Sequence, residues 1–307
     1  VACINATIFG FSFLFTKGGL DYLTRNQLLA SRFFLAAAAL TLLWACGVIR
    51  IDLRNKPIKK ALLLALVEPI LYFSFETIGV QLTTSSEAGI MTALIPVVVT
   101  ILGAIFLREH PSIAQVGCII LSVIGVLFVV LGGQGNLPLS GHGLGLLALG
   151  GAVLSSGFFN ILSRHLSRQF RPIELTYVMM CTSALFFGAL TIGEHVMAGN
   201  LQEFFAPYTH PQTWVAILYL GLLSSLAAFF GVNYVLSKLE ASKSAVFANL
   251  TTVISIAAGV VFRGEPLFWY HLVGGALILI GVWGTNRFSR KAKLITTPVS
   301  SSTAKPA

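Results

Sequence analysis

Charged residues are scarce in this chain: Asp, Glu, Lys and Arg make up 10% of its 307 residues, against about a quarter in soluble proteins. Cysteine is scarce too, and the four cysteines show no CxxC spacing, so we expect neither a disulfide framework nor a cysteine metal site. The six histidines form no HExxH motif, and the sequence has neither a GxSxG nor a GxxxxGK[ST] motif. We therefore expect no metal, no cofactor and no enzymatic activity.

Hydrophobic residues dominate instead, at 56% of the chain with a mean hydropathy of +0.85. They form runs of roughly twenty residues, the length that an α-helix needs to cross ~30 Å of hydrocarbon. The runs show no alternation of period two, so helices are favoured over a membrane barrel. We predict an all-α integral membrane protein with ten spans, at 1–16, 26–48, 61–81, 88–107, 113–132, 143–163, 173–194, 213–236, 244–262 and 267–286.

The first predicted span is short, begins without Met and has no basic leader. We interpret residue 1 as a boundary that trims this span, and a cleaved signal peptide is the alternative.

The chain also repeats itself, because a shift of 156 residues aligns five identities. The aligned pairs are Gly103 with Gly259, Phe106 with Phe262, Glu109 with Glu265, Gly125 with Gly281 and Val126 with Val282. If each half crosses the membrane five times, the second half is inverted relative to the first. Two inverted repeats are typical of secondary transporters, which use them to open alternately to the two sides.

The predicted boundaries follow from this repeat. The first five-helix repeat is 1–132, the uncharged, turn-rich stretch 133–142 is a linker, and the second, inverted repeat is 143–286. Residues 287–307 form a basic tail that we expect to be disordered.

Basic residues predict the orientation. An N-terminus in the cytoplasm places most of the chain's 20 Lys and Arg residues at cytoplasmic breaks and in the tail, as the positive-inside rule requires. We therefore expect a multi-pass protein of the cell membrane with both termini cytoplasmic. This bias accounts for the net charge of +9, so the charge does not call for a nucleic-acid partner.

Ionisable groups inside spans are costly and usually functional. Glu68, Tyr72 and Glu76 recur every four residues in the third span, so they share one helical stripe, which we expect to line a cavity. Arg32, in the second span, reaches a depth similar to that of Glu76, and we propose the two as a pair. Glu68 is then left without a basic partner, and desolvation favours its neutral form, which suits proton coupling. The alternative is a Glu68 that is protonated and hydrogen-bonded to a neighbouring helix.

The second half offers neutral polar groups for the same cavity: Asn233, Tyr234, Asn249 and Thr252, together with Asn160 in the sixth span. Packing is the alternative for each, because Asn and Thr also form hydrogen bonds between membrane helices. Small residues in spans five and ten are assigned to close helix packing, with a homodimer face left open: Gly117, Gly125, Gly274 and Gly281.

The run from Ser85 to Pro96, followed by Glu109 and Gly125-Val126, resembles the repeat of EamA-type transporters in the drug/metabolite transporter superfamily. The second copy, from Ala241 through Asn249 to Glu265 and Gly281-Val282, is similar. It has Thr252 where the resemblance would place a proline matching Pro96, so the resemblance leaves open whether the ninth span bends as the fourth does.

The resemblance implies a ten-helix basket with a central cavity formed largely by spans 1, 3, 4, 6, 8 and 9. It also implies transport of small metabolites, often the export of amino acids. The glutamates matching Glu109 and Glu265 then act as structural caps of the turns that follow spans four and nine.

We therefore predict a secondary active transporter, an exporter of small polar metabolites, whose partners are a small-molecule substrate and the lipid bilayer. A carrier of nucleotide sugars or other organic solutes is the alternative, with a channel or an intramembrane enzyme as further ones. Phosphorylated cargo is disfavoured, because Arg32 is the one basic residue within a predicted span and bound phosphates usually need more compensation.

Overall fold

The computed structural model describes residues 1–107, 112–132, 139–199, 201–238 and 248–288. These stretches are helical, with no β-strand among them. The helices, in chain order, are α1 (Ala2–Leu20), α2 (Arg25–Ala45), α3 (Ile58–Ala65), α4 (Tyr72–Leu82), α5 (Ser85–Thr92), α6 (Ile95–Leu107), α7 (Ile113–Gly132), α8 (Leu139–Leu166), α9 (Pro172–Ala198), α10 (Pro211–Leu218), α11 (Phe229–Lys238), α12 (Ala248–Arg263) and α13 (Trp269–Arg287). Two π-helical stretches, Leu66–Leu71 and Tyr219–Ala228, join α3 to α4 and α10 to α11, and a 3₁₀ stretch covers Leu201–Thr209.

Length and composition identify the membrane-crossing helices. Six helical segments in the described part are long and apolar enough to span a membrane, and three shorter apolar helices accompany them. The six are Arg25–Ala45, Ile58–Leu82, Ser85–Phe106, Gly141–Leu166, Pro172–Ala198 and Pro211–Lys238. The chain is therefore an all-α, multi-pass membrane protein.

Local sequence sets where several helices begin and end. The side chains of Thr24 and Thr84 each accept a hydrogen bond from the backbone N–H three residues further along the chain. The side chains of Gln27 and Glu87 in turn accept from the backbone N–H groups of Thr24 and Thr84, which completes two capping boxes. Helix α9 has Pro172 in its first turn and ends at Gly199, whose φ of 67° is a left-handed cap that glycine adopts without strain.

The helix that follows the predicted linker begins earlier than the sequence indicates. Helix α8 starts at Leu139, so the last four residues of the segment 133–142 are helical, while 133–138 lie outside the described residues. Glu109 and most of the tail, 289–307, also lie outside them.

The fourth and ninth predicted spans differ in shape. Pro96 has no N–H, and its ring would clash with the carbonyl of Thr92, the residue at which α5 ends before α6 starts at Ile95. Helix α12 carries Thr252 at the matching position and runs unbroken from Ala248 to Arg263. The bend of the fourth span is therefore not repeated in the ninth.

Helices α7 and α13 pack with their backbones close together. A Cβ added at Gly125 would lie 2.7 Å from the carbonyl oxygen of Gly274, and one at Gly274 would meet the carbonyl of Gly125 at the same distance. Gly281 is equally tight against Cys118 and Ser122. Three of the four predicted packing glycines therefore lie at a helix contact, whereas Gly117 has open space around it.

We expect Gly125→Ala to destabilise the protein by ~1–3 kcal/mol, because the new methyl group overpacks the α7–α13 contact. Gly117→Ala, the same change on the same helix, should leave stability unchanged, since nothing lies within 4 Å of its added Cβ. Thermal unfolding of the two purified variants in detergent measures the difference. Equal melting temperatures would show that this contact is not tight.

Candidate functional site

A central cavity of about 140 Å³ lies among the helices. Its walls come from α1, the α3–α4 segment, the α5–α6 segment, α8, α11 and α12, which correspond to predicted spans 1, 3, 4, 6, 8 and 9. The polar lining residues are Asn5, Ser12, Glu68, Tyr72, Glu76, Thr92, Ser156, Asn160 and Thr251. This cavity is smaller than the ~300–1,000 Å³ pockets that hold drug-sized ligands, so it suits a small molecule.

The predicted stripe of Glu68, Tyr72 and Glu76 lies on the cavity wall. Glu68 precedes Pro69, and proline disfavours helical backbone in the residue before it. Glu68 accordingly has an extended conformation, with φ −148° and ψ 120°, in the middle of a membrane segment. The helix is therefore interrupted where the Glu68 carboxyl group meets the cavity.

Both carboxyl groups are buried and incompletely hydrogen-bonded. Glu68 is 6% exposed and Glu76 is 2% exposed. Oε2 of Glu68 and Oε2 of Glu76 have no hydrogen-bond donor within the described part of the protein, although Ser156 lines the same cavity. Buried polar atoms without partners are rare, and they are expected where a ligand or proton binds.

Arg32 is fully buried beside this wall but does not form the predicted ion pair with Glu76. Its guanidinium donates to Ser225 Oγ from Nε and to Ser224 Oγ from Nη2, each at 3.0 Å, and it stacks on the Phe73 ring at 4.3 Å. Arg32 and Glu76 still interact electrostatically. The two serines, on the π-helical stretch Tyr219–Ala228, therefore hold the arginine behind the cavity wall.

The neutral candidates of the second half divide between cavity and packing. Asn160 lines the cavity and donates to the Ser156 carbonyl at 2.8 Å. Asn233 does not line it: the amide accepts from Ser163 and donates to Thr176, joining α8, α9 and α11. Thr252 is buried and donates to the Gly89 carbonyl at 2.8 Å, joining α12 to α5.

Two further candidates lie elsewhere. Tyr234 is 41% exposed and lines a separate, mostly apolar groove between α1 and α11. Asn249 belongs to α12, but its side chain lies outside the described residues.

Sequence reasoning missed Asn5, Thr92, Ser156 and Thr251 as cavity residues. Ser156 precedes Asn160 by one helical turn on α8, so the helical period that links Glu68 to Tyr72 could have found it. Thr251 differs from the predicted Thr252 by one position, which on a helix is a rotation of about 100°. No signal in the sequence separates these two threonines.

At one end of the bundle, which we call the Lys17 end, apolar packing and polar contacts close the space between the helices. A cluster of buried apolar residues lies next to the cavity there: Phe13, Val80, Ala88, Met91, Leu146 and Leu149. Beyond it, Lys17 Nζ donates to the carbonyls of Val80 and Thr83, each at 2.6 Å, and Arg263 pairs with Asp21 at 3.2 Å. These contacts join α1, α4, α5 and α12.

Glu87 connects three helices at the Lys17 end. Its Oε1 lies 2.9 Å from Nε2 of His142 on α8 and 3.3 Å from Nε2 of His271 on α13. All three side chains are buried. No spacing in the sequence predicts this contact, because Glu87 is more than fifty residues away from either histidine in the chain.

Glu265 caps the start of α5, whereas the family resemblance implies a cap of the turn that follows the ninth predicted span. Its carboxylate accepts from the N–H and hydroxyl groups of Ser85 and Ser86, at distances of 2.5–3.0 Å, and so caps the start of α5. Burial opposes ionisation, but these hydrogen bonds outweigh it, and the pKa of Glu265 lies below its usual range. Glu265 is therefore an ionised link between the α12–α13 turn and α5.

Apolar helices around a central cavity that carries polar side chains on a largely apolar lining define a membrane transporter by fold and site. The chain belongs to the EamA-like transporter family, whose model matches residues 1–131 and 143–287.

Similar proteins agree with this assignment. The uncharacterized transporter YcxC of Bacillus subtilis (strain 168) is 39% identical over 93% of this chain and 91% of its own length. A probable terminal-alkyne amino-acid exporter of Streptantibioticus cattleyicolor is 26% identical over 66% of this chain and 64% of its own. A solved crystal structure superposes with a TM-score of 0.59, covering 94% of this chain and 98% of that chain at 19% identity, which shows the fold alone.

We expect Asn233→Ala to lower thermal stability by ~1 kcal/mol, because it removes hydrogen bonds among three helices. The apparent affinity for a transported substrate should not change, since Asn233 is outside the cavity. Asn160→Ala is the matched change inside it and should weaken that affinity. Uptake titrations in proteoliposomes distinguish the two, and a weaker affinity in Asn233→Ala alone would contradict the assignment.

Proposed function

We propose that this protein is a secondary active transporter that exports small polar metabolites, such as amino acids, by alternating access around the central cavity. The observation that carries this proposal is the cavity itself, which brings carboxyl, amide and hydroxyl groups from several helices into one space within a bundle of apolar helices. A site near mid-membrane beside an interrupted helix is the arrangement that transporters of this kind use.

We further propose ten spans in two inverted five-helix repeats, 1–132 and 143–286. Two contacts support the inversion. Glu265, after the ninth predicted span, binds Ser85 at the Lys17 end. Ser112, after the fourth, donates to the carbonyl of Phe288 at the far end of α13. Equivalent turns of the two halves would then lie on opposite faces of the membrane.

The end opposite the Lys17 end holds the Lys56–Glu174 ion pair, and we call it the Lys56 end. We propose that it faces the cytoplasm, because the positive-inside rule places the basic residues of the α2–α3 connection there. These residues are Arg50, Arg54, Lys56, Lys59 and Lys60. On this orientation the cavity is closed toward the outside, with Ala2, Val235 and Thr251 on its cytoplasmic side.

Export of amino acids is supported by the name of the Streptantibioticus cattleyicolor relative. Nucleotide sugars are the weaker candidate, because none of the described lining residues is basic and phosphates need cationic partners.

Counterflow of labelled against unlabelled substrate in proteoliposomes tests whether the protein is a carrier. A carrier saturates and exchanges, a channel does not, and an enzyme alters the molecule.

Glu68 is the candidate for proton coupling, because its carboxyl group is buried on the cavity wall with an unpartnered oxygen. We expect Glu68→Gln to abolish the pH dependence of transport while the protein remains folded, since glutamine keeps the shape and cannot bind a proton. Transport into proteoliposomes at a series of pH values measures this. Glu194→Gln is the control, being the same change at an exposed site near a helix end. An unchanged pH profile in Glu68→Gln would remove Glu68 from coupling.

Glu265 is expected to help hold the Lys17 end closed. Because the pKa of Glu265 is lowered, its contact with α5 is present at neutral pH and is lost only as the pH falls through that lowered value. Glu265→Gln removes the charge at every pH and weakens hydrogen bonds that contribute ~1.5–3 kcal/mol when charged.

We therefore expect Glu265→Gln to raise the reactivity of a cysteine placed at Val80, in the apolar cluster, on the order of tenfold. An impermeant maleimide added to the outside of cells measures this, in a background whose four natural cysteines are replaced by alanine. Glu194→Gln again serves as the control. Equal rates in the two variants would show that Glu265 does not hold this end closed.

A further inference from the structure

The cavity presents two carboxyl oxygens for which the described protein supplies no donor. Oε2 of Glu68 and Oε2 of Glu76 are both buried and unpartnered, and both residues line the same space. Tyr72, which lies between them in the sequence, lines the same cavity. A buried acceptor without a donor carries a large desolvation cost, which a ligand that donates hydrogen bonds removes.

The lining offers no positive charge to balance these two groups. Its described polar members other than the glutamates are neutral amides and hydroxyls. The nearby cation is Arg32, which is fully buried, lies outside the lining and is held by Ser224, Ser225 and the face of Phe73. When both glutamates are ionised, one arginine cannot neutralise them, so a cation complements this form of the cavity and takes the place of the proton that burial favours on Glu68.

Aromatic rings make up much of the remaining wall. They come from four helical segments and are Phe9, Phe13, Tyr72, Phe73, Phe159 and Phe229. Ring faces attract ammonium groups, and the attraction increases where water is excluded. The same rings also bury the apolar part of an organic ligand.

From these observations we propose that the cavity recognises its cargo through a positively charged ammonium group, bound by Glu68 and Glu76, with the apolar remainder of the cargo against the aromatic rings. The cargo class is therefore small organic amines, and amino acids through their ammonium group. Molecules whose sole charge is negative are excluded. This inference rests on the proposed transport function and adds the chemistry of the cargo to it.

Four probes that share one phenyl ring and differ in charge test the proposal. They are phenethylamine (cation), phenylalanine (zwitterion), 2-phenylethanol (neutral) and 3-phenylpropanoate (anion). Thermal unfolding of the purified protein in detergent is measured against the concentration of each probe, because only a ligand of the folded state raises the melting temperature. We expect saturable shifts with phenethylamine and phenylalanine and none with the anion.

Substitutions then locate the binding. Glu68→Gln and Glu76→Gln should each weaken the apparent affinity for phenethylamine at least tenfold, whereas Glu194→Gln, an exposed glutamate outside the cavity, should leave it unchanged. If either variant fails to fold, Tyr72→Phe keeps the ring and both carboxyl groups and should still bind the amine. Full affinity in the double variant Glu68→Gln, Glu76→Gln would overturn the proposal, as would equal binding of the anion or no response to either ammonium probe.

Counterflow in proteoliposomes separates this inference from the transport function. Saturable exchange of the neutral or anionic probe, with none of the ammonium probes, would refute the ammonium site and leave the transporter intact. Binding of phenethylamine at the glutamates without exchange of any probe would support the site and refute transport of this cargo.

Discussion

Hydrocarbon offers no hydrogen bonds, so each polar group in this bundle must find its partner within the protein. Most of the buried polar side chains do. Asn233, on α11, forms hydrogen bonds with side chains of α8 and α9. Thr252, on α12, donates to a backbone carbonyl of α5. The exceptions in the described part of the chain are one carboxyl oxygen each of Glu68 and Glu76, one guanidinium nitrogen of Arg32 and the hydroxyl groups of Thr16 and Ser183. Of these residues, the two glutamates line the cavity. The rule that packs the helices thereby marks the place where they are left open to a ligand.

The position of Arg32 follows from the same constraint. A guanidinium buried among helices needs acceptors, and two serines on an irregular, π-helical stretch supply them while Phe73 covers its face. Pairing Arg32 directly with Glu76 would have neutralised one side of the cavity. Behind the cavity wall, the positive charge of Arg32 still acts on Glu76, but Arg32 forms no hydrogen bond with its carboxylate. The negative charge of the cavity is therefore reduced and not cancelled.

The two ends of the molecule are built differently. At the Lys17 end an apolar cluster is covered by charged contacts that come from distant parts of the chain, among them Glu87 with two histidines and Glu265 with two serines. Because these contacts are hydrogen bonds and ion pairs, they can exchange protein partners for water when this end opens, at small net cost. Such contacts suit an end that must open and close, whereas the buried α7–α13 contact, with its paired glycines, suits a rigid support.

Composition and periodicity alone determined the membrane class and the cavity stripe of Glu68, Tyr72 and Glu76. Each of these depends on residues close in the chain, where helical geometry fixes which side chains share a face. The tertiary structure decided the rest. Arg32 donates to serines and does not pair with Glu76, and Asn233 joins neighbouring helices without lining the cavity. Thr251, and not Thr252, faces the cavity, and Glu265 caps helix α5 of the first half. Those outcomes depend on the rotation of each helix about its axis and on which helices it contacts. Both are set by packing across the whole bundle, and no local sequence pattern contains that information.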